Sequence, residues 1–133
     1  MRDIVARRSE FEAAGCRILI VSFGEHAGAL KWLEQTGCPY PMVIDAERKV
    51  YHAFGLHRSV HKVWSIACMV YYAEQVVAGR DLPKPFENIH DDPQQMGGDF
   101  ILDCSSGELR LCYCSQRGSD RPSVDTLLGV LRR

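Results

Sequence analysis

The sequence carries almost no net charge, because 17 acidic residues offset 16 basic ones and leave −1 at pH 7. A surface for nucleic acid or anionic lipid needs a basic excess, so we expect neither as a partner. The sequence also lacks the run of about 20 apolar residues that a membrane span requires. Its first residues, "MRDIVARRSEFEAAG", have no apolar stretch typical of a secretory signal. We therefore expect a cytoplasmic protein that binds no membrane.

Several motifs that carry chemistry are missing as well. No Gly-x-Gly-x-x-Gly, Gly-x-Ser-x-Gly or phosphate-loop pattern occurs, which leaves dinucleotide, esterase and nucleotide functions without support. His57 and His61 are four residues apart, but no carboxylate or cysteine is spaced to complete a metal site. We expect solvated histidines, no metal and no cofactor.

The chain is long enough to form one domain, with 133 residues of which 46% are apolar and 25% charged. The six cysteines are even in number, which is compatible with disulfides. Three of them lie in apolar segments and no export signal is present, so we favour reduced thiols. They are Cys16, Cys38, Cys68, Cys104, Cys112 and Cys114.

Hydrophobic periodicity and turn residues predict the order α-β-α-β-α-α-loop-β-β-α. Helices are predicted over residues 2–14, 24–36, 46–54, 59–78 and from 123 onward; strands over 17–23, 41–45, 99–103 and 109–114; and an irregular polar loop over 79–98. Gly15 and Gly37 are predicted to end the first two helices, and Asp45, Ser59 and Ser123 to cap later ones. The helix over 59–78 is predicted to have a buried stripe of apolar residues: Val60, Val63, Trp64, Ala67, Val70 and Tyr71. The strand at 17–23, "RILIVSF", is nearly all apolar, which predicts burial on both faces. Early alternation followed by a hairpin and a helix indicates an α/β fold with a mixed sheet flanked by helices.

Two motifs within this order resemble a known family. The pattern D-x-x-R-x-x-Y-x-x-F-G-L follows the second strand, and Q-x-G-G-x-F-I-L enters the third; the residues concerned are Asp45, Arg48, Tyr51, Phe54, Gly55, Leu56, Gln95, Gly97, Gly98, Phe100, Ile101 and Leu102. Together with "RPSVDTLLGVL" near the end, they resemble the peroxiredoxin-like branch of the alkyl hydroperoxide reductase/thiol-specific antioxidant superfamily. The resemblance implies a thioredoxin-like fold and thiol-dependent reduction of peroxides or related acceptors, with a thiol as reductant.

The resemblance also implies a part that this sequence does not contain. In that family a core strand delivers a cysteine turn, often Cys-x-x-Cys, to the start of the first helix, where the helix dipole favours the thiolate. Here the first predicted helix already begins at residue 2. We therefore expect an N-terminally truncated domain, with the inner strand absent from the sheet and the redox cysteine upstream. The catalytic residue is unknown, and we expect the chain alone to be inactive.

Cys38, Cys112 and Cys114 are the redox candidates within the sequence. Cys38 begins "CPY", three quarters of the Cys-Pro-Tyr-Cys motif of glutaredoxins, but it follows a helix instead of preceding one. Cys112 and Cys114 share one face of a strand, and Cys104 lies across the hairpin, so a thiolate metal site or a labile disulfide is an alternative to small apolar packing.

Two further features have two interpretations each. In the related folds the loop with Gly97 and Gly98 borders the active site, but it is also explained as a tight entry into the strand. The predicted helix 59–78 has apolar residues around much of its circumference, which indicates either a homo-oligomer surface or burial of the whole helix. For function, we carry the thiol oxidoreductase and, as the alternative, a non-catalytic thioredoxin-like domain for binding or regulation.

Overall fold

A computed structural model describes residues 1–82, 87–90, 92–117 and 120–133. Its elements follow the predicted order: α1 (Arg2–Ala6), α2 (Arg8–Ala13), β1 (Ile20–Ser22), α3 (His26–Thr36), β2 (Met42–Ile44), α4 (Lys49–Ala53), α5 (Val60–Val63), α6 (Ile66–Val77), β3 (Gly98–Leu102), β4 (Leu109–Cys114) and α7 (Val124–Leu131). In the described part of the chain, no helix has the length and apolar character to cross a membrane.

The first predicted helix, 2–14, is wrong as a single element, because the chain leaves helical geometry at Arg7 (φ −110°, ψ 26°). The Arg7 guanidinium binds Glu10 at 2.6 Å and Asp125 at 2.5 Å. Asp125 lies 118 residues away, so the local apolar pattern could not predict this contact. Gly15 ends the segment with φ +69°, as predicted for a residue just past a helix.

β1 and β2 form a parallel pair in which Val21 lies opposite Val43. β1 is shorter than predicted, and its three residues are half-buried, so the prediction of burial on both faces was wrong. The reason is that β1 pairs with β2 alone among the described strands. The helix α3 between them ends at Gly37, as predicted, with φ +60°.

Asp45 was predicted to cap a helix over 46–54, but α4 begins three residues later at Lys49. Arg48 precedes it in the left-handed region, with φ +57°. The Asp45 carboxylate still accepts hydrogen bonds from the backbone N–H groups of Lys49 (2.9 Å) and Tyr51 (3.0 Å). The capping chemistry is therefore present, displaced by one tight turn.

The single long helix predicted over 59–78 is also wrong, because two serines each start a helix. Ser59 caps α5 and Ser65 caps α6, each accepting a backbone N–H bond on its hydroxyl. The buried stripe predicted for this helix is exposed at Val60, Trp64 and Val70, and Cys68 is the buried residue of α6. The apolar pattern was real, but within the described residues little covers it.

β3 and β4 form the predicted antiparallel hairpin, with Phe100 opposite Cys112 and a register shift between Ile101 and Leu102. The final helix α7 is confirmed, with Ser123 accepting the Thr126 N–H. Its Leu127 and Leu128 join Phe11 of α2 in the core. Half-buried side chains from β3 and β4, Ile101 and Leu111, pack on this cluster.

The helices and strands are consistent with an α/β fold, but the described strands form two separate pairs, β1–β2 and β3–β4. A single mixed sheet that lacks an inner strand stays a prediction. The polar loop over 79–98 contains neither helix nor strand in its described residues before Gly98. Residues 83–86 and 91 of that predicted loop lie outside the described part.

Candidate functional site

The two motifs singled out in the sequence form the junction between the strand pairs. From α4, the Tyr51 hydroxyl donates to the carbonyl of Val21 in β1 at 3.0 Å, and the Phe23 ring packs edge-on against Tyr51 at 5.4 Å. The Phe54 ring packs on Phe100 of β3 at 4.3 Å. Burial raises the pKa of Tyr51, so its hydroxyl remains a donor. The motifs thus supply structural contacts at this junction.

An ion cluster holds the start of the loop that leads into β3. The carboxylate of Asp92 binds Arg48 at 3.1 Å and Arg58 at 2.5 Å, and the Arg48 guanidinium lies over the Phe23 ring. Burial acts to raise the pKa of Asp92, but the Gln94 N–H and the two arginines outweigh it and hold that pKa below its ordinary value. Asp92 is therefore a charged anchor for residues 94–97.

Backbone hydrogen bonds hold the segment from Gln94 to Gly97 in place. The Ser59 N–H donates to Gln94 at 2.9 Å, and the Met96 N–H donates to His57 at 3.1 Å. On the other side, the buried Ser115 donates its N–H to the Gly97 carbonyl at 3.0 Å. The segment that the family resemblance places beside an active site is held from two sides.

Both glycines of this segment stand where a larger residue would collide. A Cβ on Gly97 would lie 2.5 Å from Nη2 of Arg121, and a Cβ on Gly98 would lie 2.5 Å from the carbonyl of Tyr113. Close approach to the backbone explains Gly98, whereas at Gly97 the neighbour is the flexible end of the Arg121 side chain, which a larger residue would displace. Whether the loop also borders an active site remains a prediction.

Two small cavities lie beside this loop and share Met96 and Ser115 in their walls. One, of about 60 Å³, contains Lys62 and Cys114 in its lining. The other, of about 150 Å³, is lined by Gly97 together with Arg117 and Arg121. Sequence reasoning missed both arginines; the polar segment between β4 and α7 was the available signal.

Cys112 and Cys114 lie side by side on β4, whereas Cys38 follows α3. Cys38 is half-buried and comes after a helix instead of preceding one. The Cys114 thiol donates to the Phe54 carbonyl at 3.5 Å, and burial, followed by a hydrogen bond with Cys112, raises its pKa. Cys112 is exposed beside it. Cys114 therefore lacks the surroundings of an activated nucleophile.

A metal site or labile disulfide built from Cys104, Cys112 and Cys114 is not formed among the described residues. It lies in the hairpin turn, with its sulfur 4.0 Å from Nη2 of Arg17. Burial, and after it the neighbouring Cys104, raises the pKa of Cys16. All six cysteines are free thiols, and the described residues contain no group of three or more His, Cys, Asp or Glu side chains that could hold a metal ion.

Comparison with known proteins gives one match. The model of a family described as AhpC/TSA antioxidant enzyme matches residues 3–115, which include both junction motifs and the Gly97 loop. No curated protein and no solved structure matches the chain. Since the matched region is most of the 133 residues, the chain belongs to the AhpC/TSA antioxidant enzyme family, whose members have a thioredoxin-like fold.

Proposed function

We propose that this chain is the body of a peroxiredoxin-like domain that reduces peroxides or related acceptors with a thiol. In this proposal the redox cysteine comes from an upstream strand and turn not present in the 133 residues. The inserted strand would complete one mixed sheet, and the Gly97 loop would border the cysteine.

The open edge of β1 is the observation that carries this proposal. Ile20 N–H and Ser22 C=O bond to the β2 segment, so the groups of Val21 between them face the opposite edge. The described contact there is the Tyr51 hydroxyl on the Val21 carbonyl. An added strand would pair the Val21 N–H and bury this edge, where a backbone group left without a partner would cost about 1–3 kcal/mol.

The proposed reaction uses two thiols and one peroxide. The cysteine thiolate attacks one peroxide oxygen, a sulfur–oxygen bond forms, the oxygen–oxygen bond breaks, and the other oxygen leaves as an alcohol or water after protonation. A second thiol then displaces water from the sulfenic acid to form a disulfide. A further thiol reductant returns the cysteine to its starting state.

A non-catalytic binding or regulatory domain is the second candidate. The raised pKa values of Cys16 and Cys114 and the position of Cys38 after a helix fit this candidate, as they also fit an upstream redox cysteine. Under this alternative the longer protein would also lack turnover.

Peroxide treatment followed by intact-mass measurement separates the candidates. We expect no catalytic turnover by the 133-residue chain with a thiol reductant, and turnover by the protein extended through any upstream Cys-x-x-Cys turn. An extended protein that is folded but inactive would favour the binding domain. Rapid stoichiometric oxidation and turnover at one of the six cysteines would refute the upstream cysteine.

We also propose that the face formed by α5 and α6 is a contact between two copies of the chain. On this face Val60, Met69 and Val70 are each at least half exposed. A standard interface covers about 800 Å² per partner and is built around such apolar side chains. Trp64 and Ile66 lie on this face, 60% and 84% exposed.

The mass in solution tests this contact. We expect a dimer by light scattering, and a monomer after Ile66→Glu, because the charge would be buried at the contact. Val43→Glu, at another exposed apolar residue, is the control and should leave the dimer intact. A monomeric parent chain would contradict the proposal.

The free thiols are consistent with a cytoplasmic location, which is part of the same proposal.

A further inference from the structure

The larger of the two cavities is lined by two cations. Its walls include the guanidinium groups of Arg117 and Arg121, and the other described residues that line it are neutral. Asp99, which pairs with Arg121, is not among these lining residues. A cavity lined by two guanidinium groups is suited to an anion.

Arg121 is held in place with donors to spare. Its Nη1 binds the Asp99 carboxylate at 3.0 Å, and its Nη2 lies so close to Gly97 that a Cβ there would be 2.5 Å away. A guanidinium has five N–H donors, and the contact with Asp99 leaves others for a ligand. The fork is thus oriented before any ligand arrives.

Arg117 lies on a segment that Asp120 organises. The Asp120 carboxylate accepts the N–H groups of Gln116 (2.9 Å) and Arg117 (2.8 Å) and the hydroxyl of Tyr113 (2.9 Å). The Asp120 carboxylate oxygens are therefore occupied by two backbone N–H groups and the tyrosine hydroxyl. Within the described residues the Arg117 side chain has no carboxylate partner of its own.

The volume limits the ligand to a small group. At about 150 Å³, the cavity is similar in size to an engineered apolar cavity that holds benzene. A phosphate or carboxylate group fits this volume, and guanidinium forks bind such oxygens in pairs. We propose that this cavity binds the oxyanion of a small phosphate or carboxylate ligand, independently of the redox chemistry proposed above.

Calorimetric titration of the intact chain with inorganic phosphate, and separately with succinate, tests the site and tells its two sources apart. We expect saturable binding of one of the two anions at constant ionic strength. Arg117→Gln should weaken that binding about tenfold, since one charged contact is lost. Arg2→Gln removes the same charge from an exposed helix end and should change it less than twofold.

Gly97→Ala is the sharper variant, because it keeps both charges. Its methyl group would displace the end of the Arg121 side chain, a flexible group, so the fold should survive. We expect severalfold weaker binding with an unchanged unfolding midpoint. Binding of neither anion, equal weakening by Arg2→Gln, or full binding by both Arg117→Gln and Gly97→Ala would overturn the proposal.

Discussion

The helices α6 and α7 begin in the same way and end in different surroundings. Each starts with a serine whose hydroxyl accepts a backbone N–H three residues later, at 3.3 Å for Ser65 and 3.1 Å for Ser123. Leu128 of α7 is 1% exposed, whereas Val77 of α6 is 88% exposed. Local sequence rules thus formed both helices, but they did not decide which one is covered.

The difference lies in the partners that each helix meets. α7 packs on Phe11 of α2, and ion pairs join the same two regions: Arg7 with Asp125, and Arg132 with Glu10 at 3.1 Å. For α6, one buried residue, Cys68, marks the side that faces the protein. Contacts from distant segments therefore separate the packed helix from the uncovered one.

The largest expected effect is on the packed helix. Leu128→Ala should lower the free energy of unfolding by about 2–5 kcal/mol, because it leaves a cavity in the core. Ile66→Ala, on the exposed face of α6, should change it by less than about 0.5 kcal/mol in dilute monomer. Urea denaturation measures both. Equal losses would show that α6 is packed in solution as firmly as α7.

A smaller effect is expected from removing the two serine caps. Ser123→Ala should cost about 1 kcal/mol of global stability, because α7 unfolds only with the core. Ser65→Ala should instead speed amide hydrogen exchange within α6 and leave the global unfolding midpoint nearly unchanged. A global loss for Ser65→Ala as large as for Ser123→Ala would remove the distinction between the helices.

The smallest effect concerns pH at the loop before α7. Burial acts to raise the pKa of Asp120, but the N–H groups of Gln116 and Arg117 and the Tyr113 hydroxyl lower it overall. A carboxyl whose pKa is lowered on folding stabilises the fold above its unfolded pKa of about 3.9, and that contribution is lost as pH falls through the folded value.

Denaturation of the parent chain and of Asp120→Asn at two pH values measures this contribution. We expect the parent to be more stable at pH 7 and the difference to shrink as the pH falls below the unfolded value of about 3.9. A difference that stays constant, or grows in acid, would mean that the loop is held without the charged carboxylate.

The order of elements and the start of α7 could be predicted because their signals are local. Gly15 and Gly37 ended helices as predicted, and Ser123 capped one. The break at Arg7 and its ion pair with Asp125 were not predicted, and the ion pair joins residues 118 apart, which local periodicity does not register. The apolar stripe of α6 failed as a prediction of burial for a related reason: periodicity identifies an apolar face but not what covers it.

The candidate site also has parts that the sequence predicted and parts that required the structure. Its motif residues were recognisable in sequence, yet their contacts, such as the Tyr51 hydroxyl on Val21, required the structure. For Arg117 and Arg121 the polar composition after β4 was the available signal, and it did not locate a site, because only folding brings these two residues to the cavity beside Gly97.

The sequence by itself determined the helices and turns and the membership in the AhpC/TSA antioxidant enzyme family, since capping, periodicity and motif spacing act over a few residues. Tertiary structure alone decided that Leu128 is buried, that Ile66 is exposed and that two arginines line one cavity. Burial and charge clustering depend on segments far apart in the chain, and the free energy of such contacts exists only once those segments meet.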